Sequence, residues 1–125
     1  MQKNSWIAIG AFLAMLGVML GAFGAHALKP ILEANGRVET FDVAVKYHFY
    51  HALGLLMIGT LQKNFTEERL LHYAGWLMLI GVLIFSGSLY ILCITNLTFL
   101  GAITPLGGVG MIASWALVVL CLLPI

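Results

Sequence analysis

Charge is what this sequence has least of. Six Lys and Arg with five Asp and Glu make up only 9% of the 125 residues, against roughly 25% in a soluble domain. So few polar side chains cannot cover a surface facing water, which excludes an ordinary soluble fold. Disorder is excluded as well, because it needs low hydrophobicity and high charge. Here 62% of residues are hydrophobic and mean hydropathy is +1.03. The basic residues are scattered and the formal net charge is +1, so no nucleic-acid partner is expected. Cysteine is nearly absent, with only Cys93 and Cys121. These fall near opposite ends of antiparallel spans, which argues against a disulfide and for small apolar filler.

What the sequence does have is long apolar runs. A membrane-crossing helix needs about 20 such residues. Four runs qualify, at about 6–28, 43–61, 73–93 and 104–123. The expected fold is therefore all-α, a single integral-membrane domain forming a four-helix bundle. Lys3 before the first run and Ala25-His26-Ala27 after it imitate a secretory signal, but the run is longer than a signal's apolar region. A retained anchor is expected.

The stretch from Lys29 to Asp42 is mixed, with Leu28, Ile31, Leu32, Val38 and Phe41 at roughly helical spacing. Pro30 suits a helix start and Gly36 a helix end, and Glu33 can pair with Arg37 at i,i+4. This predicts a short amphipathic helix lying in the interface between the first two spans. Thr104 is expected to cap the last span, with Pro105 at its first helical position. Three Lys or Arg fall on each side of the membrane, so the charge rule is tied. Neutralisation of the first loop by Glu33, Glu39 and Asp42 favours both termini inside.

Lipid tails are as apolar as Leu, so helices in a bilayer associate where small residues let backbones approach. Gly10, Ala14, Gly17, Gly21 and Gly24 form such a seam on the first span. Gly81 and Ser88 do so on the third, and Gly107, Gly108, Gly110 and Ser114 on the fourth. These seams serve either packing within the chain or a partner helix.

The polar residues are not evenly spread. His26 ends the first span. Lys46, Tyr47, His48 and His51 open the second, Ser86, Ser88 and Tyr90 close the third, and Thr104 opens the fourth. With alternating spans these all lie toward one membrane face, and intramembrane ionisable groups are functional candidates by default. Lys46 is expected to pair with Asp42 or to snorkel. His51 is the deepest ionisable group. It is expected to be neutral, tied to Ser86 or Ser88, a tyrosine or a backbone carbonyl. His26 is expected to face protein. Together with His48 these rings make a metal or haem site conceivable, although no Cys or carboxylate lies at a matching depth. No catalytic constellation stands out, and the glycines of Thr104–Gly110 follow no strand, so they are not a phosphate loop. No enzyme activity and no cofactor are expected.

Four motifs occur in order: GAFGAHAL (Gly21–Leu28), YHFYHAL (Tyr47–Leu53), FSGSLY (Phe85–Tyr90) and TPLGG (Thr104–Gly108). In these the chain resembles the YwdK/YgdD-type family of small bacterial membrane proteins. That family is a domain of unknown function related to a eukaryotic transmembrane protein. The resemblance covers nearly the whole chain. It implies a four-helix protein of the bacterial inner membrane and no assigned activity. His26 and His51 match the family pattern, whereas His48 falls where other polar residues can stand. Three functions remain open. The first is an accessory or assembly component of a membrane complex, partnered by another membrane protein or a second copy. The second is a protein that binds or transports a small molecule, lipid or proton in the polar half around His51. The third is a haem or metal protein.

Overall fold

The computed structural model describes residues 5–64 and 68–123. Among these there are five α-helices and no strand: α1 (Ser5–Ala25), α2 (Lys29–Asn35), α3 (Val38–Gln62), α4 (Glu68–Thr95) and α5 (Leu100–Leu122). At about 1.5 Å per residue the four long helices measure roughly 31 to 42 Å, enough for a hydrocarbon core of about 30 Å. Three are both long and apolar enough to cross a membrane: α1, residues Arg69–Thr95 of α4, and α5. The fourth, α3, has the length but also carries Glu39, Asp42 and Lys46 in its first third.

α3 lies between α1 and α4, and α5 packs along α4. Glycine dictates how closely these helices approach. A Cβ on Gly10 would stand 2.6 Å from the Ala52 carbonyl and 2.7 Å from the Leu56 amide, both on α3. Gly17 faces Phe49 and His48, Gly21 faces Val45, and Gly24 receives the Phe41 ring. α3 thus runs along the α1 seam, closest at Gly10 and Gly24 and loosest at Gly21. On the other side, a Cβ on Gly81 would lie 2.9 Å from both the Gly107 carbonyl and the Met111 amide of α5. Gly107 in turn abuts the Phe85 amide and Gly81 carbonyl, and Gly110 lies over Gly81. Gly108 has room, its nearest neighbour being the Phe85 ring at 3.8 Å. Trp6, fully buried, wedges α1 against α4. Its ring sits over Gly75 and meets Trp76 edge-on at 5.3 Å.

Several helix boundaries differ from the expected spans. α2 is shorter than the 29–42 segment: Gly36 takes φ 69° and its amide and that of Arg37 close onto Glu33 and Leu32, a left-handed termination that glycine permits. Val38 and Phe41 therefore belong to α3, five residues ahead of the expected start. α5 begins at Leu100, so Thr104 is not its cap and Pro105 lies inside the helix. The amides of Leu100, Gly101 and Ala102 bond back to Leu97, Thr98 and Phe99, and this run of turns extends the helix upstream. α4 begins five residues before Tyr73, and α1 stops three before Leu28.

The first and third connections meet. Asn35 Nδ2 donates to the Cys93 carbonyl at 2.8 Å, and Arg37 Nε donates to Asn96 Oδ1 at 3.1 Å rather than pairing with Glu33. Leu32 packs with Phe41 and Cys93 beneath them. α2 is thereby pinned across the ends of α1, α3 and α4.

Candidate functional site

α3 carries two buried histidines, His48 and His51, each 6% exposed. They stand three residues apart but serve different neighbours. His48 Nε2 lies 2.7 Å from the Leu13 carbonyl of α1, and its Nδ1 lies 2.7 Å from the Tyr90 hydroxyl of α4. A carbonyl only accepts, so Nε2 carries the proton and Tyr90 donates to Nδ1. One side chain thus joins three helices. The Ala44 carbonyl accepts from Ser86 Oγ at 2.8 Å, and the Tyr90 hydroxyl oxygen lies 3.4 Å from the same carbonyl oxygen.

His51 is protonated on its other nitrogen. Its Nδ1 donates to the Tyr47 carbonyl one turn back at 2.7 Å, and its Nε2 accepts Trp115 Nε1–H from α5 at 3.0 Å. The indole nitrogen can only donate, so this pair requires a neutral imidazole. The expectation of a neutral ring tied to a backbone carbonyl matches this geometry. Its second partner does not: neither Ser86 nor Ser88 reaches it. Ser88 Oγ sits 2.6 Å from Thr104 Oγ1, with the Phe85 and Leu100 carbonyls as further acceptors. This closes a hydroxyl pair between α4 and α5. Lower down, Ser114 Oγ donates to the Ala74 carbonyl and repeats that clasp.

His26 corrects the expectation set for it. It is exposed, and its Nδ1 bonds the Ala22 carbonyl of its own chain turn at 2.9 Å. It lies in the turn that follows α1, whose end at Ala25 leaves the ring outside the helix packing. It cannot join His48 and His51, and among the described residues no group of three His, Cys, Asp or Glu side chains could hold a metal ion. All four ring nitrogens of His48 and His51 are engaged in hydrogen bonds. Lys46 pairs with Asp42 at 2.9 Å on the exposed face of α3.

Each buried histidine borders a cleft. A narrow one of about 190 Å³ opens between α1 and α4 beside His48, Ser86, Gly87 and Tyr90. The larger, about 470 Å³, opens between α3 and α5 and is walled by Tyr47, His51, Phe85, Met111 and Trp115. Tyr47 stacks near-parallel on His51 at 6.1 Å and packs on Phe85 at 5.0 Å. Sequence reasoning missed Trp115. Depth could have found it: His51 lies 13 residues into α3 and Trp115 15 residues into α5. Both helices start from the same face, so both residues sit roughly 20 Å in.

Apolar helices of membrane-crossing length, with polar groups paired across them, define a helical membrane protein. The profile of the family described as "Protein of unknown function (DUF423)" matches residues 20–108. The UPF0382 membrane protein YwdK of Bacillus subtilis is 46% identical over 114 residues, covering 91% of this chain and 92% of the relative. UPF0382 membrane proteins of Staphylococcus haemolyticus and Staphylococcus epidermidis are 44% and 43% identical over 115 and 118 residues, with 92% and 94% of each chain covered. This chain belongs to that family. No solved structure matches it.

Proposed function

We propose that this protein is a four-span bundle of the bacterial cytoplasmic membrane that binds a lipid-soluble small molecule in the cleft beside His51. A binding role is proposed rather than a catalytic one. The observation that carries it is the cleft itself: about 470 Å³, within the range of small-molecule sites, with ring side chains on three walls and an opening toward lipid.

The topology has its own support. α3 runs beside α1 from Phe41 at Gly24 to Gly59 at Ile7, so it crosses whatever thickness α1 crosses. Its charges are confined to the end near α2, which lies in the headgroup region with both termini on the opposite, inner side. The glycines at the α1–α3 and α4–α5 contacts face the chain's own helices, which favours a binding role over the alternative of an accessory component of a larger complex.

Gly108 lines the cleft and has space for a side chain. Gly108→Leu should fill the cleft without moving the helices. Protein purified in mild detergent from membranes is extracted and the co-purifying apolar molecules compared by mass spectrometry. A species retained by wild type and lost from Gly108→Leu supports the reading. Identical extracts from both refute it.

A further inference from the structure

We propose a second, chemically different site: a phospholipid seat at the junction of α1, α2 and α3, with Lys29 as the ligand of the lipid phosphate. The junction holds a cavity of about 250 Å³, lined by Gly21, Gly24, Lys29, Phe41, Asp42 and Val45. It exists because glycine leaves it unfilled. The Phe41 ring occupies the space at Gly24, but at Gly21 only the Val45 methyl approaches, 3.5 Å from where a Cβ would stand. α2, ending after seven residues at Gly36, roofs one side and leaves the other open.

The charges at the mouth select the occupant. Asp42 is already neutralised by Lys46 at 2.9 Å. Lys29 is exposed, and among the described residues nothing pairs with its ammonium group. The mouth therefore offers one unpaired ammonium group, above a floor of Phe41 and Val45. Lys29 stands just past the end of α1, where the headgroup plane meets the helix ends. Gly21 lies four residues below Ala25, roughly 6 Å deeper. That depth suits a glycerol backbone and its first methylenes. The cavity is smaller than the roughly 300–1,000 Å³ of a drug-sized site, so the rest of the acyl chains would lie along the outer face of α1 and α3. A soluble phosphate would leave the apolar floor unused, which is why a lipid is the assigned source. The site does not depend on what fills the cleft beside His51.

The test titrates palmitoyl-oleoyl phosphatidylglycerol into the full chain in a neutral maltoside detergent and counts bound lipid by native mass spectrometry. Wild type should retain one lipid. Lys29→Gln should hold it about fivefold more weakly, the effect of one cation at a membrane surface. Ala25→Phe, whose ring closes the same cavity, should lose it, and Lys63→Gln should not change it. Lys29 and Ala25 are both exposed, so neither variant disturbs the helix contacts, and an unchanged melting temperature verifies this. Equal retention by wild type and Lys29→Gln overturns the proposal. Displacement of the lipid by an equal concentration of glycerophosphate also overturns it, since a soluble phosphate would then be the occupant.

Discussion

Among the described residues the bond between His51 and Trp115 is the one direct polar link between α3 and α5, and its strength can be measured. Trp115→Phe keeps most of the ring and removes the Nε1–H that His51 Nε2 accepts at 3.0 Å. His51→Phe removes the acceptor and also the donation to the Tyr47 carbonyl. The second loss is common to His51→Phe and the double variant, so it cancels in a double-mutant cycle. Interhelical hydrogen bonds in membrane proteins average about 0.6 kcal/mol and reach about 1.7. The cleft opens beside this pair, but both partners are engaged and the bond is short enough to be well formed. A coupling of about 1 kcal/mol is therefore expected. Equilibrium unfolding in mixed micelles against sodium dodecyl sulfate, followed by far-ultraviolet circular dichroism, reads all four species. Additivity at independent sites holds within about 0.3–0.5 kcal/mol. A coupling inside that margin would show that the bond does not hold α5 to α3, and the neutral, locked His51 would lose its basis.

Five further outcomes follow from the same contacts and from the topology. Gly107→Ala sets a methyl against the α4 backbone at Phe85 and Gly81; it should cost more than about 2 kcal/mol or abolish accumulation in the membrane. Gly87→Ala meets nothing within 4 Å and should be neutral, or stabilising by up to about 1 kcal/mol through helix propensity; the same unfolding assay separates the two. His26→Ala should change stability by less than about 0.5 kcal/mol, because its ring is exposed and bonds only its own backbone. His48→Phe should cost more than His51→Phe, since it breaks contacts to both α1 and α4. In intact cells and inverted vesicles, single cysteines at Asn96 and Asn64 should label from opposite sides; labelling from one side would end the four-span topology.

Much of the fold is legible in the chain because the bilayer allows so few solutions. A backbone in hydrocarbon must satisfy its own hydrogen bonds, so apolar length marks α1, α4 and α5, and the order of the polar residues along the chain shows which end they share. Pro30 and Gly36 bracket α2 through conformational preferences local to them, and the glycine steps of α1 mark the face that packs. Other features depend on neighbours that no local pattern names. The starts of α3 and α5 moved by four or five residues because the left-handed Gly36 and the turn bonds at Leu97–Phe99 decide them. His26 is exposed because α1 ends at Ala25 and the ring folds back onto the Ala22 carbonyl instead of reaching another helix. His48 and His51, identical in type and one turn apart, took opposite tautomers because one meets a tyrosine hydroxyl and the other an indole N–H. A side chain's chemistry is written in the sequence. Its protonated nitrogen, its partner and the cleft beside it were settled only when three other helices were packed around it.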